Sequence, residues 1–286
     1  MKVLAIVFIF ANEILSAQTV SPFKVDPFYF EYCGHNYSTD LFDMNFELNE
    51  KYFEQFKTDS VVISGIQGYM LKSYKQYTLV FTNEKLRRLY AFDSADMKRR
   101  LQAIYFYKNE RVSKIGFDFP TGLVGRPDTL FFTYGSQNEL IDCDSKGRNG
   151  KNSFTYKNNK LSLVKKSYNG NIYNWVYEAN GIDVREIRTN YRDRIDTMNF
   201  YKFDKDKRLI NIDRKITNER LALSYNKAGL LSEMNYIGYN NTNTVSILTY
   251  DKSNRLTGIR QTNLSDQDVG ERIFFIIEYF KSGKKL

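Results

Sequence analysis

Leu248-Thr249-Tyr250-Asp251-Lys252-Ser253-Asn254-Arg255-Leu256-Thr257-Gly258-Ile259 is the stretch that decides the fold. Ile247 to Tyr250 alternate on a period of two, the pattern of a strand. Asp251 to Asn254 are turn formers, whose short polar side chains bond local backbone and tolerate left-handed dihedrals. Leu256 and Ile259 then restart an apolar face. Two strands joined by so short a polar segment predict a β-hairpin.

Variants of the unit recur. Phe203-Asp204-Lys205-Asp206-Lys207-Arg208-Leu209 matches it in type at each position, as does Tyr225-Asn226-Lys227-Ala228-Gly229-Leu230-Leu231. Residues Tyr134 to Leu140 keep the spacing with weaker chemistry. A class one residue shorter begins at Phe81, Tyr107, Tyr156 and Tyr177, the last with an Asn180-Gly181 hairpin signal. A final copy begins at Tyr279, turns at Ser282-Gly283 and has hardly any outgoing strand. The copies are about 21 to 29 residues apart, an irregularity that a meander absorbs in its loops.

The unit resembles the YD repeat of the Rhs family: Tyr-Asp, two variable residues, Gly-Arg-Leu, and an apolar residue three further on. Tyr250-Asp251, Arg255-Leu256 and Ile259 fit, with Asn254 in place of the glycine, a residue that also visits positive φ. Phe203-Asp204, Arg208-Leu209 and Ile212 fit with Phe for Tyr. Tyr225 keeps Gly229 and Leu231 without the Asp or the Arg. The resemblance covers roughly residues 75 to 286, and the other copies are degenerate. In large Rhs proteins such repeats wind into a hollow shell around a toxin. This chain is short for a full shell and shows no cargo domain, so the resemblance implies the fold of short secreted relatives. Convergence is the other explanation, because any antiparallel meander selects aromatic, turn, basic and Leu positions through cross-strand pairs. The fold expected on either account is all-β. It is an antiparallel β-meander of about nine YD-like hairpins, a twisted sheet or half-shell, with one short N-terminal helix.

Composition agrees with strands. Aromatics make up 16% of the 286 residues, with 22 Tyr and 22 Phe against one Trp. Only 4 Pro and 16 Gly argue against a disordered or collagen-like chain. The net charge of +9 raises nucleic acid as a partner. The basic residues, however, sit mostly at turn exits (Lys85, Arg111, Lys160, Arg208, Arg255), so a charged turn edge is favoured and no nucleic acid is expected.

Residues 1–17 read as a signal peptide: Lys2, the apolar run Val3 to Ala11, and the small-residue site Leu15-Ser16-Ala17. No segment is apolar for long enough to be a transmembrane helix. Residues 18–58 are expected as an extended aromatic segment plus an amphipathic helix within Glu47 to Lys57, with Leu48, Tyr52, Phe53 and Phe56 at helical spacing. Residues 59–286 form the repeat domain, interrupted at Pro120 to Pro127.

Chemistry is sparse. Cys33 and Cys143 are candidates for a disulfide in an oxidising compartment, and a buried thiol is the alternative. Cys143 stands between Asp142 and Asp144, so its side chain faces opposite to theirs on a strand. His35 is the only histidine, too few for a metal site with Cys33 or for a hydrolase base. No metal, cofactor or catalytic residue is assigned. Asp59-Ser60-Val61, Asp93-Ser94-Ala95, Asp128-Thr129-Leu130 and Asp196-Thr197-Met198 share a pattern similar to an O-glycosylation signal of certain Gram-negative bacteria, or are ordinary strand entries. The expected function is that of an exported, extracytoplasmic, non-enzymatic structural or binding protein. Its exposed Tyr rows flanked by Lys and Arg would meet an envelope glycan or a protein partner. The alternatives are a reduced Rhs-like toxin- or immunity-associated protein, and a secreted hydrolase with carboxylates from loops 120–127 or 142–149.

Overall fold

Antiparallel pairing organises the described residues. The computed structural model describes residues 21–24, 47–67, 72–93, 98–117, 128–137, 139–145, 150–158, 160–238, 243–264 and 271–286. Residues 1–20, Cys33, His35, Ser94 and residues 118–127, where a loop is expected from Pro120 to Pro127, lie outside them. A short ladder, β1 (Phe23–Lys24) with β2 (Glu47–Leu48), leads into one helical turn, α1 (Glu50–Glu54). Next come β3 (Ser60–Gln67), β4 (Lys72–Thr82), β5 (Lys85–Asp93), β6 (Lys98–Lys108), β7 (Arg111–Phe117), β8 (Asp128–Tyr134), β9 (Leu140–Ser145), β10 (Gly150–Lys157) and β11 (Lys160–Tyr168). They continue as β12 (Asn171–Asn180), β13 (Asp183–Thr189), β14 (Ile195–Phe203), β15 (Leu209–Arg214), β16 (Glu219–Tyr225), β17 (Leu231–Ile237), β18 (Asn243–Tyr250), β19 (Leu256–Asn263), β20 (Glu271–Lys281) and the two-residue β21 (Lys284–Lys285).

Strand order around the sheet follows chain order, and β20 pairs with β3 from Ile273 opposite Gln67 to Phe280 opposite Ser60. The strands β3 to β20 therefore close an 18-strand antiparallel barrel. This corrects the expectation of an open twisted sheet or half-shell. An open meander leaves two edge strands with unpaired backbone groups, and closure removes both at once. The curvature has a local source. At seven hairpins the register shifts beside the aromatic residue, for example between Thr249 and Tyr250 and between Ser224 and Tyr225. Each shift places two residues of the outgoing strand against one of the incoming strand, a β-bulge that bends and twists the pair.

The helix is also smaller than expected. It covers Glu50–Glu54, and Leu48 belongs to β2 instead. Its Tyr52 and Phe53 are 0% exposed, packed edge to face with centroids 5.0 Å apart.

One apolar cluster draws residues from strands all round the ring, among them Leu79, Leu130, Val164, Met234 and Phe275. Only the inner face of a closed sheet brings such positions together. Burying each of these side chains contributes about 1.5–3 kcal/mol. The outward face is mixed, with exposed charges at Asp144, Lys151, Lys165, Lys202, Arg220 and Arg260 beside exposed Phe106, Ile172 and Ile247. A Lys or Arg on a lipid-facing strand costs about 2–4 kcal/mol at the bilayer midplane. No described helix is long and apolar enough to cross a membrane.

Candidate functional site

The turns of the repeated hairpins lie on one rim, and the motif residues build that rim. Asp251 Oδ1 accepts the backbone N–H groups of Ser253 (2.8 Å) and Arg255 (3.0 Å), while its Oδ2 accepts Arg255 Nε at 2.6 Å. Asp204 repeats the arrangement with the N–H groups of Asp206 and Arg208 and with Arg208 Nε at 2.7 Å. Asn226 makes the two backbone contacts with its amide oxygen. The fifth residue of the unit takes positive φ in each case: 62° at Asn254 and 60° at Lys207, each before the Arg, and 78° at Gly229 before Leu230. That is the physical reason for glycine or asparagine there. Burial acts to raise the pKa of Asp251 and Asp204, but the turn N–H groups and the Arg guanidinium outweigh it and hold both carboxyls below their usual range.

The aromatic residue is a staple between neighbouring hairpins. The hydroxyl of Tyr134 donates to the carbonyl of Val112, Tyr156 to Leu140, Tyr225 to Leu209 and Tyr250 to Leu231. Each thus reaches the start of the preceding hairpin's outgoing strand. A further element recurs at the bulge: the hydroxyls of Ser113, Ser162, Ser232 and Thr257 donate across to the carbonyls of Phe106, Thr155, Ser224 and Thr249. Nothing in the repeat motif marks this Ser/Thr column, although it directly follows Val112, Leu161, Leu231 and Leu256.

Helix α1 crosses the same rim. The Tyr52 hydroxyl donates to the Asn254 carbonyl (2.9 Å) and accepts the Leu256 N–H (2.8 Å). Glu54 reaches other hairpins, accepting the Leu86 N–H, the Tyr107 hydroxyl (2.9 Å) and Lys85 Nζ. Burial first, and the Glu54 charge second, push the Tyr107 pKa far up, so its hydroxyl stays protonated and donates.

One charged cluster lies on the inner face, toward the opposite rim, on β11 to β14. Register places Lys166 opposite Tyr173, Trp175 opposite Arg188, Tyr177 opposite Glu186, and Glu186 opposite Asn199. Glu186, 1% exposed, accepts Arg188 Nε at 2.6 Å, Asn199 Nδ2 at 2.7 Å and the Tyr201 hydroxyl at 3.0 Å. Burial, then the neighbouring Glu186 charge, push the Tyr201 hydroxyl well above its usual range. The Arg188 guanidinium lies over the Trp175 ring at 4.5 Å, and Lys166 Nζ lies 5.7 Å from the same ring. Tyr173 meets Tyr191 edge to face at 6.2 Å. One carboxylate held by three donors keeps a cation in place. General acid/base work on a glycoside needs two carboxyls set across a cleft.

The residues singled out from sequence do not converge. Cys143 is buried on the inner face, and Cys33 lies outside the described residues. Asp142 points outward, where it accepts Ser153 Oγ at 2.7 Å and pairs with Lys151 at 3.2 Å. Ser60 and Thr129 stand half-buried on the outward face. Thr197 is half-buried on the inner face opposite Arg188. Among the described residues no three His, Cys, Asp or Glu side chains gather as a metal site would require.

No protein-family model matches the chain. No curated protein matches it either. Among solved structures, a porin-like protein from Bacteroides uniformis ATCC 8492 is similar at 9% identity and TM-score 0.42, over 78% of this chain and 97% of that one. A TcdB2-TccC3-Cdc42 structure is similar at 9% identity and TM-score 0.29, over 74% of this chain. The Photorhabdus luminescens Tc holotoxin pore is similar at 10% identity and TM-score 0.28, over 78% of this chain. The chain spans 15% and 16% of those two toxin chains, respectively.

Proposed function

We propose that the chain is an exported, non-enzymatic structural or binding protein that works outside the cytoplasm. The observation that carries this is the fate of its reactive side chains. The motif Asp, Arg, Tyr and Ser/Thr groups are occupied in closing turns and stapling hairpins, and the buried Glu186 is occupied by three donors. Export is supported by Lys2, the Val3 to Ala11 run and the Leu15-Ser16-Ala17 site. The hairpins at 203–212 and 250–259 are proposed as YD-type repeats, since their Asp-Arg turn geometry is shared bond for bond.

The test is fractionation of a bacterial host expressing the full chain, alongside a chain lacking residues 2–17. Recovery of the full chain outside the cytoplasm, with the shortened one retained inside, is the expected result. Cytoplasmic retention of both overturns export, and hydrolytic turnover abolished by Glu186→Gln or Asp142→Asn overturns the non-enzymatic reading. Two modifications remain proposals of the same kind. O-linked glycans on Ser60, Ser94, Thr129 and Thr197 would appear in the intact mass of protein exported from its native host. A Cys33–Cys143 disulfide would appear as a loss of thiol titratable in denaturant without reductant.

A further inference from the structure

The Glu186–Arg188–Trp175 group is costly to build, because a buried charge pair is expensive to desolvate. What the arrangement achieves is orientation. Glu186 takes Nε of Arg188, and Trp175 supports the guanidinium plane. That leaves the two Nη groups of the fork without a hydrogen bond among the described residues, on a side chain that is 33% exposed. Lys166 brings a second cation over the same ring. Tyr173 is half-buried and Tyr191 is 49% exposed, so aromatic surface lies next to these cations. A planar fork held rigidly is the geometry that receives a carboxylate with two parallel hydrogen bonds. An aromatic face beside it offers a platform for a ring bearing that carboxylate.

We propose that Arg188, Lys166 and Tyr173, floored by Trp175, form a binding site for the carboxylate of an acidic sugar, a uronic acid, within a glycan. The site rests on the binding-protein reading above and names its ligand class. Arg188 Nη atoms hold the carboxylate, Lys166 neutralises it, and the Tyr173–Tyr191 pair contacts the sugar ring. Glu186 is a positioning residue that touches only Arg188 and its neighbours.

The chain contains one tryptophan, so its emission reports this site alone. Full-length protein is titrated with a galacturonate trimer, with a neutral galactose trimer and with inorganic phosphate, and emission is followed. The expected result is a saturable change with galacturonate that weakens about tenfold or more in Lys166→Gln, as losing a charged hydrogen-bonding partner predicts. Arg188→Lys keeps the charge but lacks the fork, and is expected to weaken binding as well. Circular dichroism establishes that each variant is folded, and Lys166→Gln leaves the Glu186 contacts intact should Arg188→Lys fail to fold. No change with galacturonate, an equal response to the neutral trimer, or phosphate binding as tightly as galacturonate each overturns the proposal. Reducing ends are measured in the same mixtures. Their appearance would defeat the non-enzymatic reading, an outcome distinct from mere absence of binding.

Discussion

Asp251 is the sharpest test of how the hairpins are held. Its side chain accepts two backbone N–H groups and the Arg255 guanidinium, and is 26% exposed. A neutral hydrogen bond contributes about 0.5–1.5 kcal/mol and a charged one about 1.5–3 kcal/mol, and partial exposure places each near the bottom of its range. Asp251→Ala removes all three and is expected to cost about 2–3 kcal/mol. Asp251→Asn keeps an oxygen for both backbone groups, as Asn226 does naturally, and is expected to cost about 1 kcal/mol. Urea unfolding followed by circular dichroism measures both. The folded chain holds this carboxyl below its unfolded range, so the stabilisation is present above the unfolded pKa and disappears as pH falls through the folded one. Wild type and Asp251→Asn should therefore converge in acid. Equal costs for Ala and Asn, or a gap that persists in acid, would refute the turn-lock reasoning.

Tyr250→Phe strands the Leu231 carbonyl inside the rim and is expected to cost about 1–2 kcal/mol in the same unfolding assay. Glu186→Gln leaves Arg188 without its counter-charge, and because Arg188 reaches water the loss should fall at the low end for a broken buried pair, about 3 kcal/mol by urea unfolding. Val62→Cys with Glu278→Cys places thiols on directly opposed residues of β3 and β20; a disulfide seen by mobility shift under mild oxidation is expected only if the ring is closed.

The hairpins were legible because their chemistry is local. Asp251, Asn254 and Arg255 lie within five residues, and each has a job set by turn geometry. The inner-face cluster was not legible, for a reason visible in β13. Val184, Glu186 and Arg188 alternate with Arg185, Ile187 and Thr189, so neither face of that strand reads as apolar. Ile187 points outward opposite Met198, and the charged Glu186 points inward, because Tyr201, Asn199 and Tyr177 of the neighbouring strands receive it. Alternation reports that a strand has two faces, while the partners alone decide which one is buried.

Closure could have been inferred from β20. An exposed edge strand is normally blunted by charge, proline or brevity. β20 instead runs Ile273-Phe274-Phe275-Ile276-Ile277 without a charge, apolar on both faces. Such a segment demands a neighbour on each side, and the two-residue β21 meets only Phe280 and Lys281. The strand that answers the demand is β3, whose Val61 and Ile63 face Tyr279 and Ile277. Asp59 secures the junction: its N–H donates to the Phe280 carbonyl, its carbonyl accepts the Phe81 N–H, and its carboxylate accepts the Ser282 N–H. The ninth hairpin thus takes its outgoing strand from the start of the barrel. Helix α1 lies immediately before that strand, with Phe53 and Phe56 against the Tyr279 ring. Sealing the ring and covering its hairpin rim are therefore one event, carried by residues 50–67, and an unfolding probe placed in α1 should report the opening of the β3–β20 seam.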